Sequence, residues 1–173
     1  MQAKQWTTMD KSTWPRGPWD NEPDKLQWID EATGLPCMID RKELGIFCGY
    51  VGVPESHPWH GKHYSHPLGA CTEYCSEDVH SCHCIDAKLE AHGGVNFSDH
   101  CSPDATESSG VCHIVEPGDA DNIWWFGFDC AHAGDLCPGS FSLRFLQDGI
   151  YRDLSYVRAE VTHLAAQLAA VRA

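Results

Sequence analysis

Basic residues are scarce in this chain, which has 12 Lys and Arg against 25 Asp and Glu among its 173 residues. The resulting net charge of -13 disfavours a broad contact surface for nucleic acid, because such surfaces place clustered Lys and Arg against the phosphate backbone. We therefore expect no bulk binding of DNA or RNA. An acidic surface can still enclose one small pocket that is neutralised by a metal ion.

Long apolar runs are also missing. The opening MQAKQWTTMDK has no run of signal-peptide length, and no later stretch approaches the ~20 apolar residues that a membrane-spanning helix needs. The sequence therefore predicts a cytoplasmic protein with no membrane partner. With 42% hydrophobic residues, the length is enough for one domain with its own core, so we predict a single domain over residues 1–173.

Cysteine and histidine are abundant instead, with 10 and 11 copies. They concentrate in CTEYCSEDVHSCHC, within a Cys/His-rich insertion that we place at residues 65–89. Because no export signal is present, the cluster favours a metal over disulfides, and we predict one structural zinc ion there. Disulfide bonds, or ligands that never converge, are the alternatives. The predicted ligands are Cys71, Cys75, Cys82, His83 and Cys84, with Cys101, Cys112 and His113 as further candidates.

The remaining pattern predicts an α+β fold. Trp and Pro residues make residues 1–21 an ordered arm that lies across the surface. In EPDKLQWIDEATG, Pro23 and Gly34 are start and stop signals that predict a short helix over about residues 23–32. PCMIDR and IFCGYVGV predict the two strands of a hairpin, and NIWWFGFD predicts a buried central strand.

The C-terminal segment carries the clearest secondary-structure signal. Its apolar residues recur at alternating spacings of three and four, which predicts an amphipathic helix within residues 151–172. We expect this helix to pack on a mixed or mostly antiparallel sheet of about four to six strands. A homodimer through the same stripe is the alternative. The stripe consists of Leu154, Val157, Val161, Leu164, Leu168 and Val171.

The segment WWFGFDCAHAGD predicts a functional site at the end of the central strand. Asp129, His132 and Asp135 follow the aromatic run at three-residue intervals, so a tight turn can bring their side chains together. Two carboxylates and an imidazole suit a divalent metal ion or a general acid/base pair. The alternative is that the two acids cap turns while the histidine hydrogen-bonds to the backbone.

A second segment, HGGVNFS, predicts the neighbouring part of this site. Its alternation indicates a half-buried strand, and its histidine offers a further imidazole. The two glycines let the backbone approach a ligand closely. The predicted ligand-binding residues are His92, Gly93, Gly94, Trp125, Asp129, His132 and Asp135, of which the His and Asp residues are the candidate catalytic groups.

Four segments carry a resemblance to a known family: GYVGVPESHPWHGKHY, HGGVNFS, VCHIVEPGDADNIWWFGFDCAHAGD and YRDLSYVRAEVTHLAAQL, in this order. They resemble a family of small bacteriophage-encoded proteins without an assigned activity, over about residues 46–168. The resemblance implies a phage origin and a common fold, and it brings no reaction with it. The Cys/His-rich insertion looks longer here than in simple members, and Asn96 stands where a threonine is usual.

Two functions follow as hypotheses. The first is a phage accessory protein, in the cytoplasm of the infected bacterium, that binds a small phosphorylated or nucleotide-like ligand, or a host protein, in the His/Asp pocket. The second is a metal-dependent hydrolase that uses the same groups to hold an ion and lower the pKa of a bound water. The sequence has no phosphate loop, nucleophile elbow or H-E-x2-H segment, which counts against an enzyme.

Overall fold

The computed structural model describes residues 3–69, 84–101, 113, 115, 118, 122–140 and 149–172. Its one α-helix in these ranges is α1 (Leu154–Ala169), and two short 3-10 helices span Pro18–Asn21 and Asp86–Lys88. The strands are β1 (Lys4–Trp6), β2 (Lys25–Ile29), β3 (Pro36–Arg41), β4 (Phe47–Val53), β5 (Phe97–His100) and β6 (Trp124–Asp129).

These strands form one antiparallel sheet in the order β1-β2-β3-β4-β6-β5. The first four are joined in chain order. Gly34 (φ +74) lies in the turn between β2 and β3, and Gly45 (φ +82) lies in the turn between β3 and β4. Such left-handed backbone angles favour glycine because it has no Cβ. The predicted hairpin of PCMIDR and IFCGYVGV is confirmed.

Strand β6 lies inside the sheet, between β4 and β5. Phe126 is fully buried and only 1% of the surface of Phe128 is exposed, so the near-continuous apolar run marks an interior strand, as predicted. Phe128 pairs with Gly49 of β4, and a Cβ on Gly49 would lie 2.6 Å from both the Phe128 ring and Cγ2 of Val161. The missing side chain therefore lets α1 approach the sheet closely.

Helix α1 packs on β3 and β4. It begins after Asp153, whose carboxylate accepts a hydrogen bond from the backbone N–H of Tyr156 at 2.8 Å. The predicted α+β fold, with a sheet backed by a C-terminal amphipathic helix, is confirmed. No helix in the described ranges has the length and apolar character that crossing a bilayer requires. The buried face of α1 consists of Val157, Val161, Leu164, Ala165 and Leu168.

The helix predicted over residues 23–32 is wrong. Lys25–Ile29 form β2, which is paired on both edges, with β1 and with β3. The two residues that served as helix signals have other roles. Pro23 precedes Asp24, which is buried and pairs with Arg41, and Gly34 lies in the turn between β2 and β3. Hydrogen bonding to two neighbouring strands outweighs the local helix signals, because propensity is only a weak preference.

A buried ionic network ties the N-terminal arm to the residues before α1. The Arg41 side chain has no exposed surface, and its Nε lies 2.9 Å from Oδ1 of the equally buried Asp24. Lys11 Nζ lies 2.6 Å from the same oxygen. Arg41 also donates to Glu22 Oε2 and to the Tyr151 hydroxyl, both at 2.8 Å. The two cations and the two carboxylates of this network therefore compensate one another.

Candidate metal centre

The turn after β6 forms one side of the candidate site. Gly134 has φ +92, and the backbone N–H of Asp135 donates to His132 O at 2.9 Å, so the chain reverses within a few residues. Asp135 then forms an isolated parallel bridge with Ile150. This bridge places Asp135 beside the segment that leads into α1.

Asp135 is a buried carboxylate with several donors. Nε2 of His92 lies 2.7 Å from Oδ2, and Nε of Arg152 donates to Oδ1 at 2.8 Å. The backbone N–H of His132 also donates to Oδ2, at 3.0 Å. Burial alone raises the pKa of Asp135, but the hydrogen bonds from Arg152 and His92 outweigh it and hold the pKa below its ordinary value. Asp135 therefore stays ionised inside the protein.

His92 connects Asp135 to the first turn of α1. Its second ring nitrogen, Nδ1, lies 3.0 Å from the hydroxyl oxygen of Tyr156. The guanidinium of Arg152 stacks over the Tyr156 ring at 4.9 Å. The contact with Tyr156 orients the ring through Nδ1, as outer hydrogen bonds do for metal-ligating histidines, and Nε2 is the nitrogen turned toward Asp135.

His132 completes the group and is the one member with an unsatisfied ring nitrogen. Its Nδ1 lies 3.7 Å from Asp129 Oδ1 and 3.8 Å from Asp135 Oδ2. Nδ1 is buried, and no residue in the described ranges forms a hydrogen bond with it. The rings of His132 and His92 meet edge to face, with centroids 5.4 Å apart. Gly93, with φ +66, packs against the His132 ring.

His92, His132 and Asp135 present one ligand atom each, and these three atoms lie within 4.8 Å of one another. Two imidazoles and a carboxylate are ligands for zinc and for other divalent transition metals. Bonds of about 2.0–2.2 Å to one tetrahedral ion place the ligand atoms roughly 3.4 Å apart. Nε2 of His92 and Oδ2 of Asp135, at 2.7 Å, would therefore move apart, and His132 would move closer to them. Small side-chain movements achieve this, so the residues fit a divalent ion.

Asp129 has the predicted spacing but lies beside this group. Its Oδ2 accepts a hydrogen bond from Nδ2 of Asn96 at 2.6 Å, and its Oδ1 accepts one from the backbone of Ala131 at 2.8 Å. The structure therefore brings together two residues of the D-x2-H-x2-D segment with His92, and it turns Asp129 toward Asn96.

The other predicted ligand-binding residues are placed differently. Trp125 is fully buried, and its ring packs against that of His113 at 5.2 Å, so it is a core residue that the structure does not bring to the group. Gly94 has φ +91 and no atom within 4 Å of an added Cβ. The HGG segment forms the turn before β5, whereas the sequence predicted that the strand would include it.

The predicted zinc cluster is only partly described. Cys71, Cys75, Cys82 and His83 lie outside the described residues, as does Cys112. Cys84 is buried and forms an isolated β-bridge with Pro67. Among the further candidates, Cys101 and His113 do meet, with Sγ 2.9 Å from Nδ1.

A pocket of about 220 Å³ opens next to Asp129. Asp129 belongs both to this pocket and to the surroundings of His132, so the pocket adjoins the candidate metal ligands. Its lining comes from β4, from β6 and from two residues at the start of β5. The lining residues are Cys48, Tyr50, Asn96, Phe97, Phe128 and Asp129.

Sequence reasoning missed Arg152 and Tyr156, which hold Asp135 and His92. Both lie in the YRDLSY segment, four residues apart at the start of the C-terminal helix. Nothing local in that segment indicated that it would lie against the turn after β6.

Comparisons of this chain with protein-family models, with curated proteins and with solved structures find no match.

Proposed function

We propose that this protein binds a divalent transition-metal ion through His92, His132 and Asp135 and acts as a metal-dependent hydrolase on a small molecule. The observation that carries the proposal is the buried Nδ1 of His132, which faces two carboxylates and has no hydrogen-bond partner among the described residues. Leaving such an atom unsatisfied costs about 1–3 kcal/mol. A bound cation would remove this cost.

The charges around the group support a cation. Asp135 is ionised and buried, and Asp129 provides a second carboxylate 3.7 Å from His132. Arg152 donates to Oδ1 of Asp135, while Oδ2 faces Nε2 of His92 and the backbone N–H of His132. A divalent ion at Oδ2 would take the place of the proton between Oδ2 and His92, and the carboxylate of Asp129 would attract it further.

Structural zinc sites use four protein ligands, whereas catalytic sites use three and keep one position open for water or substrate. Three protein ligands therefore favour a catalytic site. A divalent ion in such a site lowers the pKa of a water molecule that it coordinates, which is the basis of hydrolysis at neutral pH. The chain's own residues orient the ligands, since Tyr156 holds His92 and Arg152 holds Asp135. A small substrate would lie in the pocket next to Asp129, which adjoins this position through Asp129 itself.

The same pocket favours small-molecule binding without turnover as the second candidate function. A phosphorylated ligand, as expected from the sequence, would have to be held by the ion and Arg152, because Asp129 repels anions. A phage origin, a cytoplasmic location and a host-protein partner stay predictions, as does a homodimer.

Metal binding is tested on protein purified without a polyhistidine tag, stripped with EDTA and titrated with Co²⁺ or Zn²⁺. We expect saturable binding that His132→Ala weakens at least tenfold. The matched control is His163→Ala, an exposed histidine of α1, which should bind like the unaltered protein. Equal affinity of both variants would contradict the proposal. Hydrolysis is tested on p-nitrophenyl esters and phosphodiesters with the same three proteins.

The predicted zinc in the Cys/His-rich insertion is tested in the same elemental analysis. Cys71→Ala should lower the zinc content of freshly purified protein, whereas His132→Ala should not affect that ion. The two substitutions therefore assign two separate sites. Unchanged zinc content in Cys71→Ala, together with unchanged stability, would show that the insertion holds no zinc through this residue.

A further inference from the structure

The pocket next to Asp129 has a composition that limits what it can bind. It measures about 220 Å³, which is smaller than a typical site for a drug-sized ligand and suits a small organic group. Among the described residues that line it, Asp129 is the only one with a charge at neutral pH. No described Lys, Arg or His lines the pocket, so a bound anion would face a carboxylate without a compensating cation.

Two aromatic rings line the pocket. Tyr50 and Phe97 meet edge to face with centroids 5.4 Å apart, whereas the Phe128 ring lies on the other face of the sheet, against Gly49 and Val161. Tyr50 is buried, at 4% exposure, so its position is fixed by the core. Aromatic faces carry partial negative charge and attract cations within about 6 Å.

The polar groups at the pocket act mainly as hydrogen-bond acceptors. Asn96 already uses Nδ2 to donate to Asp129 Oδ2, so its carbonyl oxygen is what remains for a ligand. Burial raises the pKa of the Cys48 thiol to about 12, and it also raises that of Tyr50, so both side chains are neutral, and the Tyr50 hydroxyl uses its proton to donate to Cys48. A ligand that fits must therefore bring hydrogen-bond donors and positive charge.

We propose that this pocket binds a small organic cation, namely a primary ammonium group on a short carbon chain, with its charge at Asp129 and its chain against the aromatic rings. The inference names a ligand class for the pocket and rests on the proposed function only for the idea that the ligand is also a substrate. Because Asp129 lies 3.7 Å from His132, an ammonium-bearing molecule anchored there would lie beside the proposed ion. The net charge of -13 favours the approach of cations over anions.

The test uses n-butylammonium, butyrate and 1-butanol as probes in isothermal titrations, all in EDTA, so that the result does not depend on metal. We expect saturable binding of n-butylammonium, and binding of butyrate and butanol that is at least tenfold weaker. Binding of butyrate or butanol as tight as that of n-butylammonium would overturn the proposal. Failure of the metal titration alone would contradict the proposed function and leave this pocket assignment standing.

Two substitutions separate a specific site from a general charge effect. Asp129→Asn should weaken n-butylammonium binding at least tenfold. Asp99→Asn removes the same charge from an exposed position on β5 that does not line the pocket, and it should leave binding unchanged. Phe97→Leu keeps an apolar side chain but removes a ring, and it should weaken n-butylammonium binding severalfold. Equal losses in Asp129→Asn and Asp99→Asn would overturn the proposal.

Discussion

Gly93 packs directly against the imidazole of His132, since a Cβ at position 93 would lie 2.1 Å from Cε1 of that ring. Its neighbour Gly94 has open space around the same position. Both glycines have positive φ angles, of +66 and +91. They therefore share a backbone constraint, but only Gly93 touches a candidate metal ligand.

Gly93→Ala is expected to displace the His132 ring and weaken Co²⁺ or Zn²⁺ binding at least tenfold. An alanine at position 93 also destabilises the fold by about 1–2 kcal/mol, because it must adopt the left-handed conformation. Metal titration gives the affinity, and urea unfolding gives the stability. Gly94→Ala is the matched control, with a similar loss of stability and unchanged metal affinity. Equal metal affinity in the two variants would refute the role of this contact.

Tyr156→Phe removes the hydroxyl that holds Nδ1 of His92 at 3.0 Å. Loss of such an outer hydrogen bond to a ligating histidine typically lowers metal affinity about 10–100-fold. We expect that loss in the Co²⁺ titration with little change in the unfolding midpoint. Tyr64→Phe serves as the control, because Tyr64 packs against His63 and not against the candidate ligands. A Tyr156→Phe variant with unaltered affinity would show that His92 needs no outer support.

Arg41→Met should cost about 3–5 kcal/mol of unfolding free energy, because it leaves buried carboxylates without their main partner. Asp24 would keep Lys11, at 2.6 Å, which sets a limit to the loss. Arg16→Met is the control, since Arg16 is 92% exposed and its ion pair with Asp20 is worth less than about 1 kcal/mol. Urea unfolding at neutral pH measures both. If Arg41→Met lost as little unfolding free energy as Arg16→Met, the network would contribute little to stability.

His57 should make stability depend on pH. The Trp59 N–H donates to Nδ1 at 3.1 Å, so the proton is on Nε2, which donates to Leu168 O near the end of α1 at 3.0 Å. Burial lowers the pKa of His57 from 6.5, with further repulsion from His60 and Lys62, and this outweighs the opposing effect of the Leu168 hydrogen bond. The folded protein therefore binds the proton less readily than the unfolded chain does.

This contribution to stability is fully present above pH of about 6.5, and it is lost as the pH falls toward the lower folded pKa. Unfolding free energies at pH 7.5 and 5.5 should differ more in the unaltered protein than in His57→Gln. His163→Gln, on the exposed face of α1, should retain the full difference. An identical pH dependence in His57→Gln and the unaltered protein would exclude this role of His57.

The elements that were predictable from the sequence are those whose burial follows a local period. The apolar stripe of α1, the two extended runs before and after Gly45 and the apolar run of β6 each indicate their own structure. Strand β2 was not predictable in this way. Residues 25–29 form a strand because they pair with β1, which belongs to the Trp- and Pro-rich arm. No periodicity within these five residues indicates that pairing.

The candidate site was predictable to the same extent. His132 and Asp135 could be placed at the end of β6, and His92 could be placed beside them, because each lies next to a strand signal. Asp129 has the same spacing but belongs to the strand itself, whose alternation turns it toward Asn96. Arg152 and Tyr156 enter through the bridge between Asp135 and Ile150, a long-range contact without a local pattern.

The position of β6 between β4 and β5 has a consequence for how the chain folds. Val53 pairs with Trp124, which lies 124 − 53 = 71 residues later in the sequence. Before β6 pairs with β4, β4 is an open edge of the sheet. Its residues, which are all buried in the folded protein, can then pair with another chain. Refolding should therefore be slow and its yield should fall with protein concentration, because non-local pairing delays folding and prolongs exposure of that edge.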